Sequence, residues 1–377
     1  MADFLTWLSW LSPWAQIPIV VATFAAAVGI LLFFIEIAPR KGRIYTLIRL
    51  AVCVLAPLGV LWLLQSWWWA ILGAGILGLL FFWFDLRAKE GAGYKFQLFA
   101  FLAPALSLLF VGLILPVVET IIQSFFNSTG TAFVGLANYE WIFTQPQGIR
   151  TVANTIVWVL IAPVASTAIG LVYAYFIDKT RGEKIYKTLI FLPMAISFVG
   201  ASIIWRFMYT HRPSGRDQIG FLNQIIVWLG GEPIFFLQLE PWNTLFLILV
   251  FVWIYTGFAM VVLSAAIKGV PAEQIEASQL DGANAIQRFL QIVVPSIKTS
   301  IVVVLTTIAL TSMKIFDIVR TMTAGGNNTS VIANEMYSQF SNLQTGRAAA
   351  YAVVLFVLVL PLIIYNARQM NKQKEIA

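Results

Sequence analysis

Polar residues in this chain are gathered into short stretches. Between them run apolar segments of about twenty residues, the length that crosses the hydrocarbon core of a bilayer as a helix. Such segments lie at roughly 17–37, 44–64, 67–84, 98–122, 151–177, 186–208, 242–267, 297–319 and 348–367, about nine in all. They are continuous rather than alternating, which excludes an outer-membrane barrel. The pattern predicts an all-α, polytopic helical membrane protein. The segments 44–64 and 67–84 are joined by Gln65 and Ser66 alone, with Trp67, Trp68 and Trp69 following. A hairpin with an aromatic belt at the interface fits this pattern, and a single kinked re-entrant segment is the alternative.

The spans divide into two groups. Residues 1–90 carry three helices and little polarity, and the charged, glycine-rich linker from Asp85 to Tyr94 reads as a boundary. Residues 95–377 carry six helices and all the long polar loops. No internal repeat is visible, which weighs against transporters built from repeats. Alternate connections carry Arg40, Lys41, Arg43 and Arg49; Arg87, Lys89 and Lys95; Lys179, Arg181, Lys184 and Lys187; Lys268, Arg288 and Lys298; and Arg368, Lys372 and Lys374. These are 17 of the 24 basic residues. The positive-inside rule makes that side cytoplasmic, with the amino terminus outside, the carboxy terminus inside and an odd number of crossings. No Lys or Arg precedes the first span, so Ile17 to Ile37 reads as a retained helix rather than a signal peptide.

Composition agrees with this picture and narrows the chemistry. Apolar residues make up 60% of 377 positions and charged residues 11%, against roughly 25% charge in a soluble domain. The net charge of +7 sits in short loops beside spans, a topology signal rather than a nucleic-acid footprint. Cys53 and His211 are each the sole residue of their type. They provide no transition-metal cluster and no Ser/His/Asp or Cys/His catalytic group. No GxxxxGK[ST] stretch occurs, so the chain does not cradle ATP phosphates itself. The sequons at Asn127 and Asn327 carry weight only in a glycosylating pathway.

One polar stretch is too long and too patterned to be a simple turn. Pro271 suits the first turn of a helix, and Ala272 to Leu280 can be helical. Gly282 then interrupts, as a residue able to take positive φ at a sharp turn. Asp281 is positioned to cap a second helical piece. Ile286, Phe289, Leu290 and Val293 recur at helical spacing and are expected to bury one face. Pro295 ends the second piece at the start of the next span. The expected product is a helix–turn–helix block at 271–295 projecting into the cytoplasm as a docking surface. An interfacial amphipathic loop without a partner is the alternative.

The same residues resemble the signature of permease subunits of binding-protein-dependent ABC importers, in which EAA is followed by Gly and then by I-x-L-P. Glu276, Ala277, Gly282, Ile292 and Pro295 match. Ser278 replaces the second alanine and Val294 the leucine. Asp281, Ala283 and Phe289 further resemble the sugar-importer branch. The resemblance covers roughly residues 95–370 and takes in FVGLANY at 133–139, Phe191-Leu192-Pro193, Trp205, Phe316-Asp317 and Thr323-Ala324-Gly325-Gly326. Asn327 stands where that segment usually has proline. The wording is most similar to the maltose-type family, and within it to α-glucoside importers.

The resemblance implies a type I importer core of six helices, with the three amino-terminal helices outside it. It implies a second, homologous permease, two cytosolic ATPase subunits that hold ATP and magnesium, and an extracytoplasmic sugar-binding protein. The block would couple to the ATPase, with Glu276 fixing it through charge-assisted hydrogen bonds and Gly282 permitting the bend. Rigid-body motion would then alternate the helices between inward-open and outward-open states. In the family, sugar contacts come from the helices flanking the block. A gap-free transfer gives Phe251, Ile254, Tyr255 and Phe258 before it, and Ile308, Ser312 and Ile315 after it. Several are apolar where a maltose carrier would use amides, which weighs against maltose itself; the solute implied by the resemblance is an α-glucoside, such as a disaccharide or a glucosylated compatible solute. Ordinary helix packing is the alternative for each.

Ionisable residues in spans are costly and usually functional. Glu36 and Arg206 lie near span ends and read as snorkelling, and Glu119 sits deeper. Lys314 and Asp317 lie three apart on one expected helix, close enough for an intramembrane or structural ion pair. The outer loop from His211 to Trp242 has enough apolar content to fold and reads as part of the surface that receives the binding protein. Two other functional classes remain. An ion-coupled secondary transporter would need acidic relays or inverted repeats, and a polytopic membrane enzyme would need a catalytic cluster; neither feature is visible.

Overall fold

The computed structural model describes residues 110–178 and 180–376. The expected spans at 17–37, 44–64 and 67–84, the first half of 98–122, and the boundary near 90–95 lie outside these residues. Nearly all the described residues fall within one compact unit, Val117–Ala377. Among the described residues the structure is helical, with one isolated antiparallel bridge between Phe126 and Phe133.

The helices are α1 (Leu115–Gln123), α2 (Ala137–Thr144), α3 (Pro146–Ile177), α4 (Glu183–Ala195), α5 (Phe198–Met208), α6 (Phe221–Trp228), α7 (Asn243–Lys268), α8 (Ala272–Leu280), α9 (Ala285–Ser296), α10 (Lys298–Met313), α11 (Asp317–Met322), α12 (Ile332–Ser341) and α13 (Thr345–Ile376). Among the described residues three segments, α3, α7 and Thr345–Tyr365 of α13, are long and apolar enough to cross a membrane. Two bent pairs, α4 with α5 and α9 with α10, also qualify if each is one span.

The expected continuous span 186–208 is therefore corrected to two helices bent by 101°. Pro193 sits in a closing 3-10 turn, where it has no N–H to continue a helical ladder. Ile196 is extended, and Ser197 caps α5 by accepting from the Gly200 amide. The α9–α10 pair bends by 72° at Ile297. Pro295 lies within α9 rather than ending it, just after a π-helical stretch at Phe289–Val293. A wider turn accommodates a proline ring that would otherwise clash with the carbonyl of Gln291. The expected span 297–319 also breaks early. Helix α10 stops at Met313, Ile315 turns into the core, and α11 starts at Asp317.

Helix α7 is the centre of the bundle. It is apolar on every side, as expected of an enclosed helix, and it packs against α3, α4, α5, α10 and α11. Two glycines set how closely its neighbours approach. A Cβ on Gly170 of α3 would lie 2.5 Å from the Ala259 Cβ and 2.8 Å from the Met260 nitrogen. A Cβ on Gly257 of α7 would lie 2.4 Å from the Ile190 carbonyl oxygen of α4. Small residues let helix backbones meet where lipid provides no hydrophobic drive for helix association.

Candidate functional site

The polar block folds as an ordered helix–turn–helix. Helix α8 ends at Leu280, Asp281 is its C-terminal cap residue, and Gly282 takes φ +78° to reverse the chain. The cap on the second helix is supplied by Asn284, which corrects the expectation for Asp281. Asn284 Oδ1 accepts from the Gln287 amide at 2.9 Å, and Gln287 Oε1 accepts from the Asn284 amide at 2.8 Å, a reciprocal capping box. The Arg288 guanidinium donates to the Ala283 carbonyl at 2.6 Å and ties the turn to α9.

The block is fastened to the bundle from one side. Tyr175 of α3 donates its hydroxyl to the Ala285 carbonyl at 3.3 Å, and its ring meets Phe289 at 4.5 Å. Val293 is buried and Phe289 half-buried, but Ile286 and Leu290 remain exposed, so the expected apolar face is only half covered. On the other side Glu276, Ala277, Asp281 and Gly282 are exposed, and Leu280 is 90% exposed. Ser278 is 5% exposed and donates to the Ile275 carbonyl at 2.6 Å. A hydroxyl there meets its own helix, which explains why the site accepts serine for alanine. Ala283 and Ile292 are half-buried, and Pro295 is exposed.

Next to the block, a charge cluster ties three helices together. Asp178 at the end of α3 accepts from Ser264 of α7 at 2.7 Å and pairs with Lys187 of α4 at 2.5 Å. Lys187 reaches Glu183 at 2.8 Å, and Lys268 at the end of α7 pairs with the same carboxylate. Basic-loop counting registers Lys187 and Lys268 as topology markers only. Their acidic partners Asp178 and Glu183 come from the same short connection, a local signal that charge pairing could have exposed.

The expected substrate residues separate into two sets. Phe251, Ile254, Ile308, Ser312 and Ile315 are packed into the chain's own core. Helix α7 is enclosed by its neighbours, so most of its positions face protein. Tyr255 and Phe258 are half-exposed. Tyr255 stacks on Phe251 at 4.5 Å, and Phe198 at the start of α5 stacks on Phe251 at 6.0 Å and on Tyr255 at 6.1 Å. Phe198 is not among the sequence candidates, because it comes from a helix that periodicity runs through without a break. Lys314 and Asp317 lie on opposite sides of the α10–α11 break, and among the described residues no ion pair joins them. Arg206 donates to the Thr321 carbonyl at 3.4 Å.

Long apolar helices, broken half-helices and an ordered polar block beside a charged joint define a multi-pass membrane transport subunit. The chain belongs to the family of binding-protein-dependent transport system inner membrane components, whose model matches residues 166–374. It is 46% identical to the alpha-glucoside transport system permease protein AglF of Rhizobium meliloti (strain 1021), over 72% of this chain and 82% of that protein. It is 44% identical to the osmoprotective compounds uptake permease protein GgtC of Synechocystis sp. (strain ATCC 27184 / PCC 6803 / Kazusa), over 73% of this chain and 99% of that protein. Its fold matches a chain from the crystal structure of a bacterial ABC transporter that imports alginate, with TM-score 0.64 and 21% identity, covering 75% of this chain and 98% of that one.

Proposed function

We propose that this chain is the permease subunit of an ATP-driven importer that carries an α-glucoside, a disaccharide or a glucosylated compatible solute, into the cytoplasm. The observation that carries the reading is the block itself, folded and anchored on one side while Glu276, Ala277, Leu280, Asp281 and Gly282 stand exposed on the other. A surface of this kind suits a groove on a cytosolic ATPase, and the chain carries no P-loop of its own. Two ATPase subunits holding ATP and magnesium, a second permease and an extracytoplasmic binding protein complete the assembly. The block end of α3 then faces the cytoplasm, as the basic-loop count requires. The similarity to two permeases named for alpha-glucosides and osmoprotective compounds supports the solute class. The half-exposed aromatic pair Tyr255 and Phe258 suits the apolar C–H faces of a sugar ring.

The test is reconstitution of the chain with its neighbouring subunits in liposomes. We expect solute uptake and ATP hydrolysis that both depend on the binding protein. Uptake driven by an ion gradient in the absence of any ATPase would refute the proposal in favour of a secondary transporter.

A further inference from the structure

At the end of α3 remote from the block lies a polar cavity that the coupling role does not use. Helix α3 has 32 residues, which at about 1.5 Å per residue separates its two ends by about 48 Å. Gln147, Arg150, Thr151 and Asn154 near its start form one wall. The loop 324–330 and the first turns of α12, with Asn334, Glu335 and Ser338, form the rest. The volume is about 410 Å³, within the roughly 300–1,000 Å³ range of small-molecule pockets.

The walls are held in place from behind. Asn154 Nδ2 donates to the Asn328 and Ser330 carbonyls at 2.6 and 2.9 Å. Three non-glycine residues of the loop, Ala324, Asn327 and Asn328, hold φ between +51° and +58°. Such conformations persist only where the surroundings impose them. The same loop is bonded to the outer loop before α7, through Asn327 to the Leu237 carbonyl and Asn328 to the Glu240 carboxylate.

The lining chemistry narrows the ligand. Glu335 is 4% exposed and accepts from Gln147, Ser330 and Gln339 at 3.2, 3.1 and 2.9 Å. Three donors aimed at this carboxylate leave it poorly suited to take up a cation. A buried carboxylate also repels an anion. Asn334 is 1% exposed, and its Oδ1 has no hydrogen-bond partner, although its Nδ2 donates to Ser330 Oγ at 2.9 Å. An unpaired buried acceptor is costly, and a ligand hydroxyl would satisfy it. Amides, hydroxyls and one guanidinium, without an aromatic face, suit a neutral molecule rich in hydroxyl groups.

We infer that this cavity is a second, extracytoplasmic solute subsite, which holds sugar hydroxyls near the outer loop before the solute enters the membrane path. The inference rests on the α-glucoside reading above. The test uses the complete importer in nanodiscs, without binding protein, and equilibrium dialysis of radiolabelled sucrose and trehalose. Asn334→Leu is expected to weaken binding about tenfold, the scale of one lost buried hydrogen bond. Arg150→Gln, an exposed change that does not threaten folding, is expected to weaken it about threefold. Tyr255→Ala is expected to leave this binding intact while lowering uptake. Binding unchanged in both cavity variants would overturn the subsite. So would a binding-protein segment that crosslinks into the cavity and is not displaced by sugar. If the intact importer with its binding protein carries α-glucosides yet neither sugar binds the cavity, only the subsite falls; if it carries none and binds none, the solute reading falls with it.

Discussion

Substituting Gly282 separates backbone strain from docking. The residue holds φ +78°, and a Cβ built on it meets nothing within 4 Å. Alanine and tryptophan at this position therefore carry the same backbone penalty, about 1 kcal/mol for an L-residue in the left-handed region. A methyl group there has nothing in the chain to strike, and with Leu280 and Asp281 exposed beside it an indole can turn outward. The two variants should insert alike and melt alike. They differ only in what they present to the outside: one methyl group, or an indole of roughly 200 Å². If the turn seats in an ATPase groove, Gly282→Ala should retain most uptake and Gly282→Trp should lose it by more than about tenfold, together with co-purification of the ATPase. The assay is uptake of labelled α-glucoside into proteoliposomes, paired with subunit stoichiometry after purification. Equal loss in both variants would mean that strain, not docking, controls the turn. Full uptake in Gly282→Trp would refute the seating of this turn against a partner.

The packing makes three further outcomes testable. Gly170→Ala places a methyl 2.5 Å from Ala259 and against the α7 backbone, so it should destabilise the bundle by about 1–3 kcal/mol; an unchanged melting curve in detergent would show that α3 and α7 have slack there. Tyr175→Phe should leave assembly nearly intact and Tyr175→Ala should reduce it, because the ring on Phe289 at 4.5 Å is a larger contact than the hydroxyl bond at 3.3 Å; the reverse order in ATPase co-purification would assign the anchoring to the hydrogen bond. Asp178→Asn and Lys187→Met should each lower the melting temperature, and the double variant should lose less than the sum of the two, because the 2.5 Å pair is then removed as a unit; strict additivity would show that the pair is not coupled.

The helix–turn–helix and its glycine turn are legible in the sequence because each depends on local chemistry. Gly282 needs only its own φ freedom, and the Asn284–Gln287 capping box spans four residues, so it is readable even though the expectation falls on Asp281. Long helices are equally legible where apolar length alone decides, as in α3 and α7. The breaks are not. Hydropathy runs through Pro193 and Ser197 because both sit in an apolar context, yet one withholds an N–H and the other caps a new helix. The burial of the expected substrate side chains is illegible for a different reason. Which face of α7 is open depends on neighbours from α3, α4 and α10, and that is tertiary information that a gap-free motif transfer does not contain. The outer cavity is invisible for the same cause, since its walls come from residues near 150 and near 330.

The block, the charged joint and the aromatic stack form one mechanical path. Tyr175 links the block to α3, and three residues later Asp178 links α3 to both α4 and α7. Gly170 and Gly257 bring those helices to backbone contact. Interiors packed this closely transmit displacement rather than absorb it. The helical ladder is interrupted elsewhere, at Ile196–Ser197 and at Ile297. Phe198 begins immediately after the first of these breaks and lies against Tyr255. On the proposed function, a movement of the block relative to the membrane would carry α3, α4 and α7 together and change the angle at Ser197, next to the aromatic faces proposed for the solute. On that reading the block and the aromatic faces would be joined through one packed group of helices, with one break at Ser197 beside the aromatics and another at Ile297 beside the block.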